Sequence, residues 1–274
     1  MNITAISPST KSPVSRSRSD EVAAVPAALR SEWIKTRSLQ SNPAILGLTV
    51  VAGVLLSLIL AVFVKEDPNK HVPFTVGDTF IFSTWLTTVL AIVMGILMFT
   101  SEVQHGTLAN TLAAQPARWV TVAAKSTIAA GFGLAMGVLG MVAGFSGAVL
   151  GGLEMGDTSG MRVTALWGLL LTTLAPVFGL GAGMIIRHSS AAISTALVWT
   201  LVVENLFRGF ASPKISRFLP FSAANGLLDI ESLSDTPETL ALRLTRVQDA
   251  VLFGGYTIVA LVIGTVLLYR RDSN

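Results

Sequence analysis

The sequence predicts an all-α membrane protein, with six transmembrane helices, a short interfacial helix before the first span, and both termini cytoplasmic. Three observations lead there. Of 274 residues, 51% are hydrophobic and only 13% charged, too few for the chain to cover itself with polar surface as a soluble domain does. The apolar residues are gathered into blocks about as long as the roughly 20 residues of helix that cross a bilayer core. Within these blocks no polar face recurs. That excludes soluble amphipathic helices and also the alternating strands, about 10 residues long, of a membrane barrel.

Taken in order, residues 1–25 are rich in Ser, Pro and Arg and lack an apolar core, which predicts a disordered extension and not a cleavable signal peptide. Residues 26–42 predict an amphipathic interfacial helix, with Trp33, Lys35 and Arg37 at the lipid headgroups. Pro43 separates it from the six-span domain at 43–274, whose spans fall at 44–64, 79–100, 126–150, 163–186, 189–207 and 250–269. Five of them carry no charge, and the fifth carries Glu204 near its end. Cysteine is absent, which removes disulfides, thiolate nucleophiles and cysteine metal sites. The net charge of +3 arises mostly in the first 43 residues, six Lys/Arg against three acids, and reads as attraction to anionic lipid, not to nucleic acid. Inner segments would hold 11 Lys/Arg and outer ones 8. The stronger orientation signals are Arg30, Lys35 and Arg37 before the first span and Arg270–Arg271 after the last, against five basic residues in the outer loop 208–249.

Three features concern packing. Gly133, Gly137, Gly140, Gly144, Gly147 and Gly151 repeat at helical spacing along the third span, where small residues allow close helix approach, either inside the bundle or at a subunit interface. Pro176 removes a backbone hydrogen bond in the fourth span and is expected to kink it. Few residues separate spans four and five, which predicts a tight helical hairpin. Glu204, an acid within a span, is a functional candidate by position. Arg208 at i+4 offers it a local ion pair, and a place on a substrate pathway is the other reading.

The loop at 101–120 carries the most specific signal. Gly106 can break the emerging helix, Thr107 can cap a new short one, Leu108 and Leu112 share a face, and Pro116 can end it. Two leucines on a short helix at the membrane surface suit docking into a partner's groove. The pattern of Glu102, Gly106, Thr107, Leu108, Leu112, Pro116 and Arg118 resembles the signature of type 2 ABC-transporter permeases. The stretch 30–38, with its Trp33, resembles the opening of actinobacterial-type members. The resemblance implies a bacterial plasma membrane protein that assembles from two permeases, identical or paralogous, and two separate ATPase subunits. It also implies a coupling helix within 102–118, and short re-entrant helices around Phe218–Phe221.

No Gly-x4-Gly-Lys-Ser/Thr stretch is present to cradle phosphates, so no cofactor is expected on this chain, and ATP and Mg are expected on a partner. The chain reads as a transport subunit and not an enzyme. Smooth apolar spans favour an amphipathic cargo such as a peptide antibiotic, a drug or a lipid-like molecule. Two alternatives come from other classes. One is an ion- or proton-coupled carrier, disfavoured by five charge-free spans. The other is an intramembrane serine protease built on Ser146, disfavoured because His71, His105 and His188 all lie in loops.

Overall fold

The computed structural model describes residues 22–38, 41–65, 75–115, 117–156, 160–230 and 237–271. The expected extension at 1–25 lies outside the described residues as far as residue 21, and so does Pro116. The helices are α1 (Val25–Ser38), α2 (Ser41–Lys65), α3 (Val76–Gln104), α4 (Leu108–Ala114), α5 (Arg118–Leu150) and α6 (Met161–Ile186). They continue as α7 (Ser189–Phe210), α8 (Pro213–Ser216), α9 (Pro220–Leu227), α10 (Pro237–Ala241) and α11 (Arg246–Arg271). No strand occurs among the described residues. Six of the helices, α2, α3, α5, α6, α7 and α11, are long and apolar enough to cross a membrane, which makes this an all-α, multi-pass membrane protein.

The six divide into two groups. In α3, α5 and α6 about half of the apolar window is buried (56%, 50% and 56%), so these form the centre. In α2, α7 and α11 the share falls to 22%, 17% and 28%, leaving most of each helix on the periphery. The glycine row of α5 explains how the centre closes. Its partners change along the helix: Gly133 and Gly137 meet Thr172 of α6, Gly140 and Gly144 meet Thr87 and Ser83 of α3, and Gly147 and Gly151 meet Val54 and Ala61 of α2. A Cβ at Gly147 would sit 2.6 Å from the Val54 carbonyl oxygen. The row is therefore packed inside the bundle, where bare backbone lets three neighbours approach in turn. Helix α6 runs through Pro176 without interruption, and a Cβ at Gly95 or at Gly133 would strike that proline. The hairpin between the fourth and fifth spans is as tight as expected: Arg187 adopts a left-handed conformation (φ 61°) after α6, and Ser189 already begins α7.

Two spans are longer than their apolar blocks. Helix α5 starts at Arg118, ahead of the block at 126, and α3 continues past residue 100 to Gln104. The loop expected at 101–120 thus shrinks, and Glu102 and Lys125 stand on helices. Hydropathy registers the greasy stretch, whereas backbone hydrogen bonding carries on into polar turns supported by the bundle. Likewise much of the loop expected at 208–249 is helical, with Pro213 and Pro220 in the first turns of α8 and α9. Helix α9 buries Phe221, Ala223, Ala224 and Leu227 against α11 and α6.

Candidate functional site

Helix α3 ends in a Schellman motif. Gly106 takes φ +68°, the Gly106 N–H donates to Val103 O, and the Thr107 N–H donates to Glu102 O at 3.0 Å. Glycine's freedom in the left-handed region makes this sharp stop possible and sends the chain back along the membrane end as α4. Thr107 does not cap α4 with its side chain, as the sequence had suggested; its hydroxyl turns back towards Glu102 O. The two leucines also differ from expectation. Leu108 is buried in the main apolar core and Leu112 packs against it half-buried, so neither is presented as a free knob. A short helix lying on the end of an apolar bundle satisfies its leucines there first. Ala109, Asn110, Ala113 and Ala114 form the outward face.

Beside the core contacts of Leu108 and Leu112, α4 touches a buried ion cluster through Thr111. Lys125 Nζ of α5 donates to Glu32 Oε2 of α1 at 2.7 Å and to Glu102 Oε1 of α3 at 2.6 Å. Lys35 Nζ of α1 donates to Glu32 Oε1 at 2.8 Å, to Glu102 Oε1 at 3.4 Å and to Thr111 Oγ1 of α4 at 3.0 Å. Two ammonium groups and two carboxylates balance, which is what makes their burial tolerable. The Lys125 side chain is only 4% exposed and that of Glu32 3%. Burial works against the charge on Lys35, but the hydrogen bond and charge of Glu32, joined by the charge of Glu102, outweigh it and hold the Lys35 pKa above its usual 10.5. Four helices, α1, α3, α4 and α5, thus meet at one electrostatic knot.

This arrangement corrects the reading of α1. The helix packs against α5 and the start of α2, and Trp33 and Ile34 point outward, with the Trp33 ring 5.6 Å from that of Phe132. Lys35, however, turns inward, and of the expected headgroup cations only Arg37 remains exposed on the helix surface next to it. Asn42 Nδ2 donates to Thr36 O at 2.6 Å and joins α1 to the start of α2. Arg118 closes the other side: Nη1 donates to Leu268 O at 2.7 Å and Tyr269 O at 3.1 Å, and its guanidinium lies 5.2 Å from the Tyr269 ring centre. Cations suit the carbonyl end of a helix. A cleft of about 450 Å³ opens between α4 and the arginines Arg118 and Arg187.

Glu204 lies at the opposite end, fully buried (0% exposed). A single π-helical turn at Trp199–Val203 brings residues five apart into line, and Trp199 Nε1 donates to Glu204 Oε1 at 3.3 Å. The same oxygen accepts the Phe221 N–H at 2.8 Å, so Glu204 serves the first turn of α9, with Arg208 at 3.8 Å. It thus ties α7 to α9. Neither Glu32 nor Lys125 was singled out by sequence reasoning. The available signal was four charges at the edges of apolar blocks, which flanking residues produce in any membrane protein. No protein-family model matches the chain and no curated protein matches it.

Proposed function

We propose that this chain is the permease subunit of an ATP-driven ABC exporter in a bacterial plasma membrane, working with separate ATPase subunits and a second copy or paralogue of itself. The observation that carries this reading is the knot of Lys125, Lys35, Glu32 and Glu102, which joins two central spans to α1 and reaches the short helix α4 through Thr111. A partner that grips α4 differently with and without nucleotide would move α3 and α5 with it, because buried, balanced charges resist separation. Nucleotide state would then bias the bundle between inward- and outward-facing arrangements. The docking face is Ala109, Asn110 and Ala113 together with the adjoining cleft, with Leu108 and Leu112 as the support beneath it. The amphipathic cargo follows from the apolar spans.

The two alternatives gain nothing from the geometry. A coupled carrier needs an acid free to exchange ions near the midplane, and Glu204 is engaged by Phe221, Trp199 and Arg208. A serine protease needs a base beside Ser146; among the described residues, His105 and His188 cap helices at the α4 end while Ser146 lies towards the other end of α5, and His71 lies outside the described residues.

The native chain has no cysteine, so Asn110→Cys creates a unique attachment point. With a photo-crosslinker on that thiol, membranes of the native host should yield an adduct containing a P-loop ATPase, and Mg-ATP should change its amount. An adduct pattern without any such ATPase, at Asn110→Cys and also at Ala113→Cys, would contradict the proposal.

A further inference from the structure

The end of the molecule opposite α4 carries two cavities that meet. One, of about 310 Å³, is lined by four arginines, Arg208, Arg217, Arg243 and Arg246, and by two carboxylates, Asp229 and Asp249. Among the described residues these four arginines face Asp229, Asp249 and, behind the chamber, Glu204. Arg243 and Arg246 both turn to Asp229, at 3.6 and 2.9 Å, and Arg208 turns to Glu204 behind the chamber. Arg217 reaches a backbone oxygen, Leu242 O at 3.1 Å, and lies 4.8 Å from the Phe218 ring centre, with no carboxylate in salt-bridge range among the described residues. The Nε atoms of Arg208 and Arg217 are also buried without a hydrogen-bond partner among those residues. The side chains of Arg208, Arg243 and Arg246 are 24%, 29% and 25% exposed, so solvent screens these charges only in part.

The second cavity, of about 530 Å³, is an apolar trough along the outside of α11, and Leu244 lines both. Its floor is a stripe at four-residue spacing, Val247, Val251, Gly255 and Val259. Gly255 deepens it, since a Cβ there would meet nothing within 4 Å. At about 1.5 Å per residue the stripe covers about 18 Å, comparable to the depth of one leaflet in a hydrocarbon core about 30 Å thick. Tyr256 OH donates to Phe218 O at 2.9 Å and fixes the trough's rim beside Arg217.

A fork of guanidinium groups suits a phosphate, and an apolar channel running from it into the bilayer suits a hydrocarbon chain. We propose that this end of the protein binds one anionic, phosphate-bearing lipid amphiphile, its headgroup among Arg208, Arg217, Arg243 and Arg246 and its acyl chain along Val247, Val251, Gly255 and Val259. Binding stands on this geometry alone; that the ligand is also the exported cargo rests on the exporter reading.

The test is a titration of the purified full-length chain in detergent, followed by native mass spectrometry, with dioctanoyl phosphatidylglycerol, dioctanoyl phosphatidylcholine and inorganic phosphate as separate probes. Phosphatidylglycerol should bind about ten-fold more tightly than phosphatidylcholine, the scale of one well-placed charge-assisted contact. Arg217→Gln should abolish that preference. Gly255→Leu, which fills open space and leaves every arginine in place, should weaken phosphatidylglycerol several-fold, on the order of one obstructed apolar contact. Lys214→Gln, an exposed cation on α8 outside the chamber, should bind as the native chain does. Equal binding of the two lipids would mean ordinary boundary lipid and overturn the proposal. Displacement by inorganic phosphate at matching concentration would mean a free-anion site and overturn it too, as would equal losses from Lys214→Gln and Arg217→Gln. No ATPase takes part, so failure here leaves the crosslinking result at Asn110 untouched, and the reverse also holds.

Discussion

The two ends of the bundle use charge in opposite ways. At the α4 end, two lysines and two glutamates are matched, mostly buried and within 2.6–3.4 Å of one another, and they join four helices. At the α8–α11 end, four arginines line an open chamber beside two carboxylates, partly exposed and unevenly paired. The knot's charges balance within the fold, with Glu102 Oε2 alone lacking a hydrogen-bond partner among the described residues, and such an arrangement stiffens the helices it joins. A half-shielded chamber in which, among the described residues, arginines outnumber carboxylates is poorly suited to stiffening anything, but it favours whatever brings negative charge. Under the two proposals one end transmits and the other recognises, with the glycine-packed α5 running between them.

Substitutions can break or sharpen that contrast. The largest effect is expected at Lys125. Lys125→Met leaves Glu32 and Glu102 with only the part-exposed Lys35 to answer their two charges and should cost about 3 kcal/mol, read as a lowered unfolding midpoint in detergent. Adding Glu102→Gln should return part of the loss, and an unchanged midpoint in the single variant would remove the knot from the account. Next comes the helix that joins the ends. Gly147→Ala drives a Cβ against the Val54 carbonyl and should cost about 1–3 kcal/mol, whereas Gly131→Ala, with open space around it, should change stability by less than about 0.5 kcal/mol. Glu204→Gln keeps an acceptor for the Phe221 N–H but drops the charge facing Arg208. It should cost about 1–2 kcal/mol and raise hydrogen exchange selectively across 213–228. Among the charge substitutions the smallest effect belongs to Lys35→Gln, about 0.5–1 kcal/mol, because that side chain is 35% exposed and solvent already weakens its pairs.

The pH dependence of this last contribution has a definite sign. The folded-state pKa of Lys35 is raised, so its stabilisation is complete below the ordinary value of 10.5 and disappears only as pH climbs through the folded value. A titration of the native chain against Lys35→Gln should therefore show a constant difference across neutral pH and convergence in strong alkali.

The spans were legible in the sequence because hydropathy is a local sum: each apolar block needs no knowledge of its neighbours. The glycine row was legible as well, since helical spacing alone places six glycines on one face. The ion knot was not, because its bonds join residues 67 and 93 positions apart, and charges flanking a span look the same whether they meet or face water. The leucines of α4 show a different limit. Periodicity showed that Leu108 and Leu112 share a face, but which way the face points depends on the bundle beneath, and the core took it. At Glu204, the i+4 spacing to Arg208 was readable, but the π turn that aligns Trp199 and the arrival of Phe221 from the following loop depend on tertiary packing.

The central claim, that α4 faces a cytoplasmic engine while the arginine chamber faces out, can be tested by accessibility in whole cells. Asn110→Cys and Lys214→Cys each place one thiol in a chain that otherwise has none, on exposed positions at opposite ends. A membrane-impermeant maleimide should label Lys214→Cys in intact cells and reach Asn110→Cys only after permeabilisation. Labelling of Asn110→Cys in intact cells, with Lys214→Cys protected, would contradict the account at both ends.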